Sequence, residues 1–189
     1  DWRRRNVDTL VQTLHQKIQN YNINKSKTVK FGISPFGIWD NKSSNPLGSN
    51  TQGLSSYSAQ YADSRKWVKE GWLDYIMPQL YWEFNHSVAR FADLVDWWVE
   101  TVQGTGVDLI IGQGFYRYAD NSWTDPNEIT EQLRYMSQYD EIIGSSFFSH
   151  KVLNNPHANV VQALDRIGRY YWTGPVDFPW ETGIHAEEK

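Results

Sequence analysis

Four short, nearly continuous apolar runs constrain this chain more than any other feature: VKFGIS at 29–34, YIMPQLY at 75–81, LIIGQGF at 109–115 and IIGSSFF at 142–148. Each is about one strand long and is flanked by Gly, Asp or Asn. A run that is apolar at both odd and even positions suits a parallel strand covered on two faces. Helical patterns lie between them. Val7, Leu10, Val11, Leu14 and Ile18 recur at i, i+3, i+4 spacing, as do Val88, Phe91, Val95, Trp98 and Val102, while Tyr61, Trp67 and Val68 fit more loosely. The stretch TDPNEITEQLRYM predicts a helix with Asp125 as N-cap, Pro126 at the first helical position and Glu128 completing a capping box. Asn155-Pro156 repeats the cap-then-proline device before Val160, Val161, Leu164 and Ile167.

One helix followed by four strand-helix units requires crossover connections and a parallel sheet. Two architectures satisfy that order, the open doubly wound sheet and the closed barrel. A dinucleotide fold needs a glycine-rich loop entering a helix, and GQG at 112–114 has neither the spacing nor the helix start. The barrel is therefore predicted. A complete (β/α)8 barrel takes about 250 residues, and four strands make half of one. The half-barrel is expected over 1–172, and 173–189, which has no periodicity, reads as an irregular tail.

Composition excludes several functions. A net charge of -4 and a pI near 5.7 leave no clustered positive surface for phosphates, so no nucleic-acid partner is expected. With no cysteine there are no disulfides and no thiolate metal sites. No apolar run approaches the ~20 residues of a membrane helix. Histidine spacing predicts no metal site, no Ser sits in a G-x-S-x-G elbow, and no cofactor motif is present. The sequence opens at Asp1 without a basic-then-apolar leader, so a signal peptide is expected to be absent or to lie upstream.

In βα barrels chemistry sits where strands end and loops enter helices, whereas the opposite rim serves stability. Asp74, Asp108 and Glu141 precede strands and belong to the stabilising rim. After the strands come Trp39 and Asp40, Trp82 and Glu83, Tyr116, Arg117 and Asp120, and His150. Strand parity puts Gln79, Tyr81 and Glu83 inside the mouth with Ile76, Leu80 and Trp82 outward, and it puts Gln113, Phe115 and Arg117 inside. Met77 and Phe36 are expected on the same inner wall. Ten Trp, 11 Tyr and 8 Phe exceed what a core of this size uses, so some rings should face a ligand. At least one of Trp97 and Trp98 is assigned to packing.

Rings beside carboxylates and amides suit a sugar, whose C–H faces stack and whose hydroxyls need polar partners. Glycoside cleavage uses two carboxyl groups. Glu83 is the first candidate acid, and Asp40 and Asp120 are weaker ones. The plain alternative is that Glu83 pairs with Arg117 or faces water. His150 is read either as a proton carrier or as an ordinary surface histidine.

DWRRRNVD at the start, FGISPFGIWDN at 31–41, DYIMPQLYW at 74–82, GQGFYR at 112–117 and GSSFFS at 144–149 together resemble the glycosyl hydrolase-like family 10 of bacterial proteins. The resemblance runs from Asp1 to about Trp180. It implies a (β/α)8 barrel acting on glycans, with this chain as its C-terminal half and four strands preceding the DWRR motif. It also implies a cell-wall or related polysaccharide as substrate and an exported or envelope-attached location. Trp39, Gln79, Tyr81, Trp82, Gln113, Tyr116 and Arg117 lie within matched motifs and carry over as substrate-contacting or site-shaping residues. Glu83 and Asp40 rest on their own chemistry, because the family pattern has no fixed acid at either position. Alone the chain is expected to be inactive or nearly so, with a catalytic carboxylate on the other half. The alternative is a non-catalytic glycan-binding or scaffolding unit. Open strand edges predict self-association or pairing with the other half-barrel.

Overall fold

The computed structural model describes residues 1–175 and Trp180. Most of the expected tail, residues 176–179 and 181–189, lies outside the described residues. A long helix α1 (Trp2–Lys25) precedes β1 (Gly32–Ile33), which leads through two short helices, α2 (Ser56–Ala59) and α3 (Ser64–Lys69). The second apolar run forms β2 (Tyr75–Ile76) and β3 (Gln79–Leu80), followed by α4 (Phe91–Val102). Then come β4 (Asp108–Gln113), α5 (Glu128–Met136), β5 (Ile142–Phe147) and α6 (Ala158–Tyr170). All pairings are parallel: β1 with β2, both β2 and β3 with β4, and β4 with β5. The protein is an α/β half-barrel whose sheet does not close.

The predicted second strand is split at Pro78, which has no N–H to give the ladder. The hydrogen bonding continues across the break, with Met77 N–H to Ile33 O at 2.9 Å, Gln79 N–H to Pro35 O at 3.0 Å and Gly112 N–H to Pro78 O at 3.0 Å. The segment from Tyr75 to Leu80 therefore keeps one alternation of faces. Ile76 and Leu80 turn outward into the core under the helices, where they meet Leu109 and Ile111 of β4, and Phe91, Leu94, Val95 and Trp98 of α4. A smaller second core joins Phe115, Tyr118 and Trp123 to Ile129 and Leu133 of α5 and to Val160, Ala163 and Ile167 of α6. Each such side chain contributes roughly 1.5–3 kcal/mol of burial.

The first helix is fastened by its polar residues as much as by its apolar ones. Asp8 is buried and accepts the Trp67 indole N–H at 2.7 Å and the Lys66 ammonium at 2.8 Å. The Arg4 guanidinium lies 3.6 Å from the centre of the Tyr57 ring and donates to Tyr57 O at 3.0 Å. Val7 and Val11 reach the core. Leu10 and Leu14, expected on the same buried face, are 59% and 39% exposed. The face that packs is narrower than the sequence period suggests, because α3 meets only the Asp8 side of α1.

Both predicted helix starts shift. Helix α5 has Asn127 at its N-cap with no side-chain cap, and Asp125 instead closes a turn by accepting the Asn127 N–H at 2.9 Å. Glu128 closes no capping box; its carboxylate turns toward β3. The orphan N–H of Ile129 finds the buried Tyr118 hydroxyl oxygen at 3.2 Å. Helix α6 begins two residues past Pro156, where the His157 Nδ1 accepts from the Asn159 N–H at 3.3 Å. The stabilising rim is as expected: Asp74 accepts the Phe31 N–H at 2.8 Å, and Asp108 accepts the Trp180 indole N–H at 2.7 Å. The Trp180 ring lies 4.8 Å from that of Tyr75.

Candidate functional site

Two adjoining pockets open at the C-terminal ends of the strands and share Tyr81. The first, about 370 Å³, is lined by Ser34, Met77, Gln79 and Gly112 on the strands' inner face and by Tyr116 and Phe148 above them. The second, about 230 Å³, is lined by Trp82, Glu83, His86, Arg117 and Trp123. A larger cavity of about 490 Å³ lies elsewhere, on the outer surface between the 42–50 loop and helices α3 and α4. Its charges are of both signs, and Asp93 and Asp96 already hold Arg90, Asn50, Tyr135 and Tyr139. The strand ends are the stronger candidate, because there the unsatisfied groups and open rings converge.

Three rings build the first pocket's rim. Tyr81 stacks on Phe148 at 5.7 Å and 22°, and Tyr116 meets both edge-on at 5.9 Å. Phe148 is 55% exposed, so one large apolar face is offered to solvent. Burial, with Tyr116 nearby, pushes the Tyr81 phenol up, so its hydroxyl stays protonated and able to donate. The close approach of Gly114 sets the Tyr81 position. A Cβ at residue 114 would lie 2.9 Å from the Tyr81 Cβ. Gln79 donates to Ser34 O at 3.1 Å, and its side-chain oxygen has no partner among the described residues.

The second pocket holds the chargeable groups. The Glu83 carboxylate is half-buried and makes no hydrogen bond or ion pair among the described residues, so of the two plain readings the Arg117 pair is not formed, and the water-facing one fits the structure. Arg117 sits 5.1 Å over the Tyr116 ring and 4.0 Å from Asp120, and its Nε is buried without a partner. The His86 Nδ1 is likewise buried and unpartnered. The Ser122 hydrogen bond shifts the Asp120 carboxyl downward from its ordinary value, and Asp120 lines neither pocket.

The strand ends thus bring together Gln79, Tyr81, Trp82, Glu83, Tyr116 and Arg117. They do not bring in the other four candidates. Trp39 is 4% exposed, donates its indole N–H to Asp63 at 2.9 Å and stacks against Trp97 at 5.7 Å, which makes it a core ring. Asp40 is equally buried and accepts the Asn41 N–H at 3.0 Å and the Asn45 amide at 3.4 Å, bracing its own loop. His150 is exposed in a 3-10 turn and lines neither pocket. Gln113, expected inside, is fully buried on the outer face and donates to Gln132 at 2.9 Å. Phe115 is also outside, stacked on Phe147 at 5.0 Å. Gln113 shares the parity of Leu109 and Ile111, and a polar partner waits for it on α5. Beyond it the chain enters a 3-10 turn over Phe115–Tyr118, where alternation stops applying. The inner residues of β4 are Ile110 and Gly112.

Sequence reasoning missed His86, Trp123 and Phe148 as pocket residues. His86 stands three positions after Glu83, a spacing that carries weight only once the chain is seen to turn there. Phe148 becomes inward-facing through an irregularity in the β4–β5 register between Leu109 and Ile110.

A family model described as Glycosyl hydrolase-like 10 matches residues 1–129. Glycosyl hydrolase YngK of Bacillus subtilis (strain 168) is 44% identical over 168 residues, which are 87% of this chain and 32% of that relative. Glycosyl hydrolase DigH of Escherichia coli (strain K12) is 39% identical over 164 residues, 82% of this chain and 36% of the relative. The chain spans about a third of the length of the curated relatives it matches.

Proposed function

The chain belongs to the glycosyl hydrolase-like 10 family, and on that premise we propose that its strand-end cleft is the substrate-binding half of a glycoside hydrolase site acting on a bacterial cell-wall or related polysaccharide. The observation that carries this reading is the Tyr81–Tyr116–Phe148 triangle beside an unpaired Glu83 carboxylate. The rings offer apolar faces for pyranose C–H groups. Gln79, Arg117 and His86 supply polar groups for hydroxyls. Glu83 serves as one carboxyl of the two that glycoside cleavage uses, and the second comes from the barrel half that this chain does not contain. Such a polymer lies outside the cytoplasm, so the full-length protein is proposed to be exported or envelope-attached.

Calorimetric titration of the chain with cell-wall-derived oligosaccharides tests the reading. Binding is expected, and Tyr81→Ala should weaken it about tenfold, the loss of one well-placed ring. Equal affinity for wild type and Tyr81→Ala would count against the cleft. A second reading, a glycan-binding unit without turnover, is favoured by one observation: Glu83 is the only carboxylate lining either strand-end pocket among the described residues.

The open inner wall carries a further expectation. Met77, Ile110 and the exposed Phe148 face no opposing strand among the described residues. Two copies covering each other's open side would hide these groups and the unpaired strand edges. Light scattering of the 189-residue chain should therefore show dimers at high concentration, and a clean monomer would contradict this.

A further inference from the structure

Glu128 opens α5 yet caps no backbone N–H of that helix. Its Oε1 accepts the Phe84 N–H at 2.6 Å and the Gln132 side-chain amide at 2.7 Å. The same Gln132 amide nitrogen donates to Trp82 O at 3.2 Å. The Gln132 oxygen in turn accepts from Gln113, the last residue of β4, at 2.9 Å. Gln113 and Gln132 are both fully buried. The three side chains form one line of hydrogen bonds running from the sheet, through the helix, to the backbone on either side of Glu83.

That backbone has few other supports. Between β3 and α4 the chain has no regular structure, and among the described residues Glu83 O accepts only from the His86 N–H at 3.1 Å and the Phe91 N–H at 3.4 Å. Burying a carboxylate and two amides is costly unless their hydrogen bonds are made; of the four made here, two join the side chains to one another and two reach the backbone, at Trp82 O and the Phe84 N–H, while Gln113 Oε1 is buried without a partner among the described residues. Burial is the largest influence on the Glu128 carboxyl and pushes its pKa up, with the charge of Glu83 adding to the push.

We propose that Glu128 is a positioning residue, which acts with Gln132 and Gln113 from behind the cleft to fix the Trp82–Phe84 backbone and, through it, the Tyr81 ring and the Glu83 carboxylate in the geometry that receives a sugar. The inference rests on the saccharide reading of the cleft. It assigns a role to two buried glutamines and to an acid that lines neither pocket. It also explains why a glutamine ends β4 on its apolar face.

The test uses the 189-residue chain with Glu128→Ala and Glu128→Gln. Hydrogen exchange of the Phe84 amide is read without ligand, and affinity is read with cell-wall-derived oligosaccharides, chitotetraose and maltotetraose. Glu128→Ala should speed Phe84 exchange and weaken sugar binding by about tenfold each, as expected for losing one strong buried acceptor. Glu128→Gln keeps an acceptor oxygen at the same place and should restore both to within about threefold of wild type. Should Glu128→Ala prove unfolded, the glutamine variant still decides, because a purely electrostatic role would make it fail as well. Unchanged Phe84 exchange in Glu128→Ala overturns the clamp, and faster exchange with undiminished binding overturns its bearing on the site. Failure of the wild-type chain to bind any of the three sugars removes the reading of the cleft and the positioning role with it, a result distinct from sugar binding that survives Glu128→Ala.

Discussion

Glu83→Gln, introduced into a polypeptide as long as the relatives, is expected to lower kcat by about a hundredfold or more while leaving KM within a few-fold. Gln keeps the shape of the side chain and its capacity to hydrogen-bond a hydroxyl, so substrate binding should persist. It cannot deliver or accept the proton that cleavage of a glycosidic bond requires. The size of the effect follows from the position of Glu83, since no basic group among the described residues pairs with it and it shares a pocket with Trp82, His86 and Arg117. Steady-state turnover of cell-wall polysaccharide by wild type and variant measures it directly. Turnover equal to wild type would remove Glu83 from the mechanism and favour the second reading, a glycan-binding unit.

Trp98→Ala should destabilise the fold by about 3–5 kcal/mol, the usual cost of emptying a large aromatic site. Trp98 is wholly buried in α4 at the centre of the larger core, and its indole N–H donates to Gly37 O at 2.8 Å. Gly37 itself packs so tightly that a Cβ there would lie 2.5 Å from Gln79 O. Removing the indole thus opens a cavity, orphans a carbonyl and loosens the wall beside the cleft at once. Against a domain stability of 5–15 kcal/mol, the variant is expected to be largely unfolded near physiological temperature or to unfold far earlier in urea. A loss below about 1 kcal/mol would mean that the core is not organised around α4 as described.

Much of this was readable from residues alone. The apolar runs at 75–81, 109–115 and 142–148 each contain strand, as short, two-sided hydrophobic segments separated by helix-length spacers suggest. Parity was reliable from Ile76 to Tyr81, since the ladder passes through Pro78 without losing alternation. It fails at Gln113, whose polar side chain finds a buried partner on the outer face and does not turn to the open mouth. Gln132, whose side-chain oxygen accepts from the Gln113 amide 19 residues away, is a partner that no local pattern announces. Asp40 and Trp39 illustrate the same limit. Both follow a strand and carry suitable chemistry, but Asn41, Asn45 and Asp63 engage them first, and those pairings depend on how the loop folds back. The capping box fails for a related reason: the Glu128 carboxylate accepts a backbone N–H from Phe84 in the segment between β3 and α4, which a box defined within four residues excludes.

The claim on which the rest depends is that the strand ends, and not the larger outer groove, receive the sugar. An NMR titration of the chain with a cell-wall-derived oligosaccharide, followed residue by residue, tests it most directly. The account predicts saturable shift changes at Gln79, Tyr81, Tyr116 and Phe148. Changes gathered instead around Arg65 and Trp97 of the outer groove would contradict it.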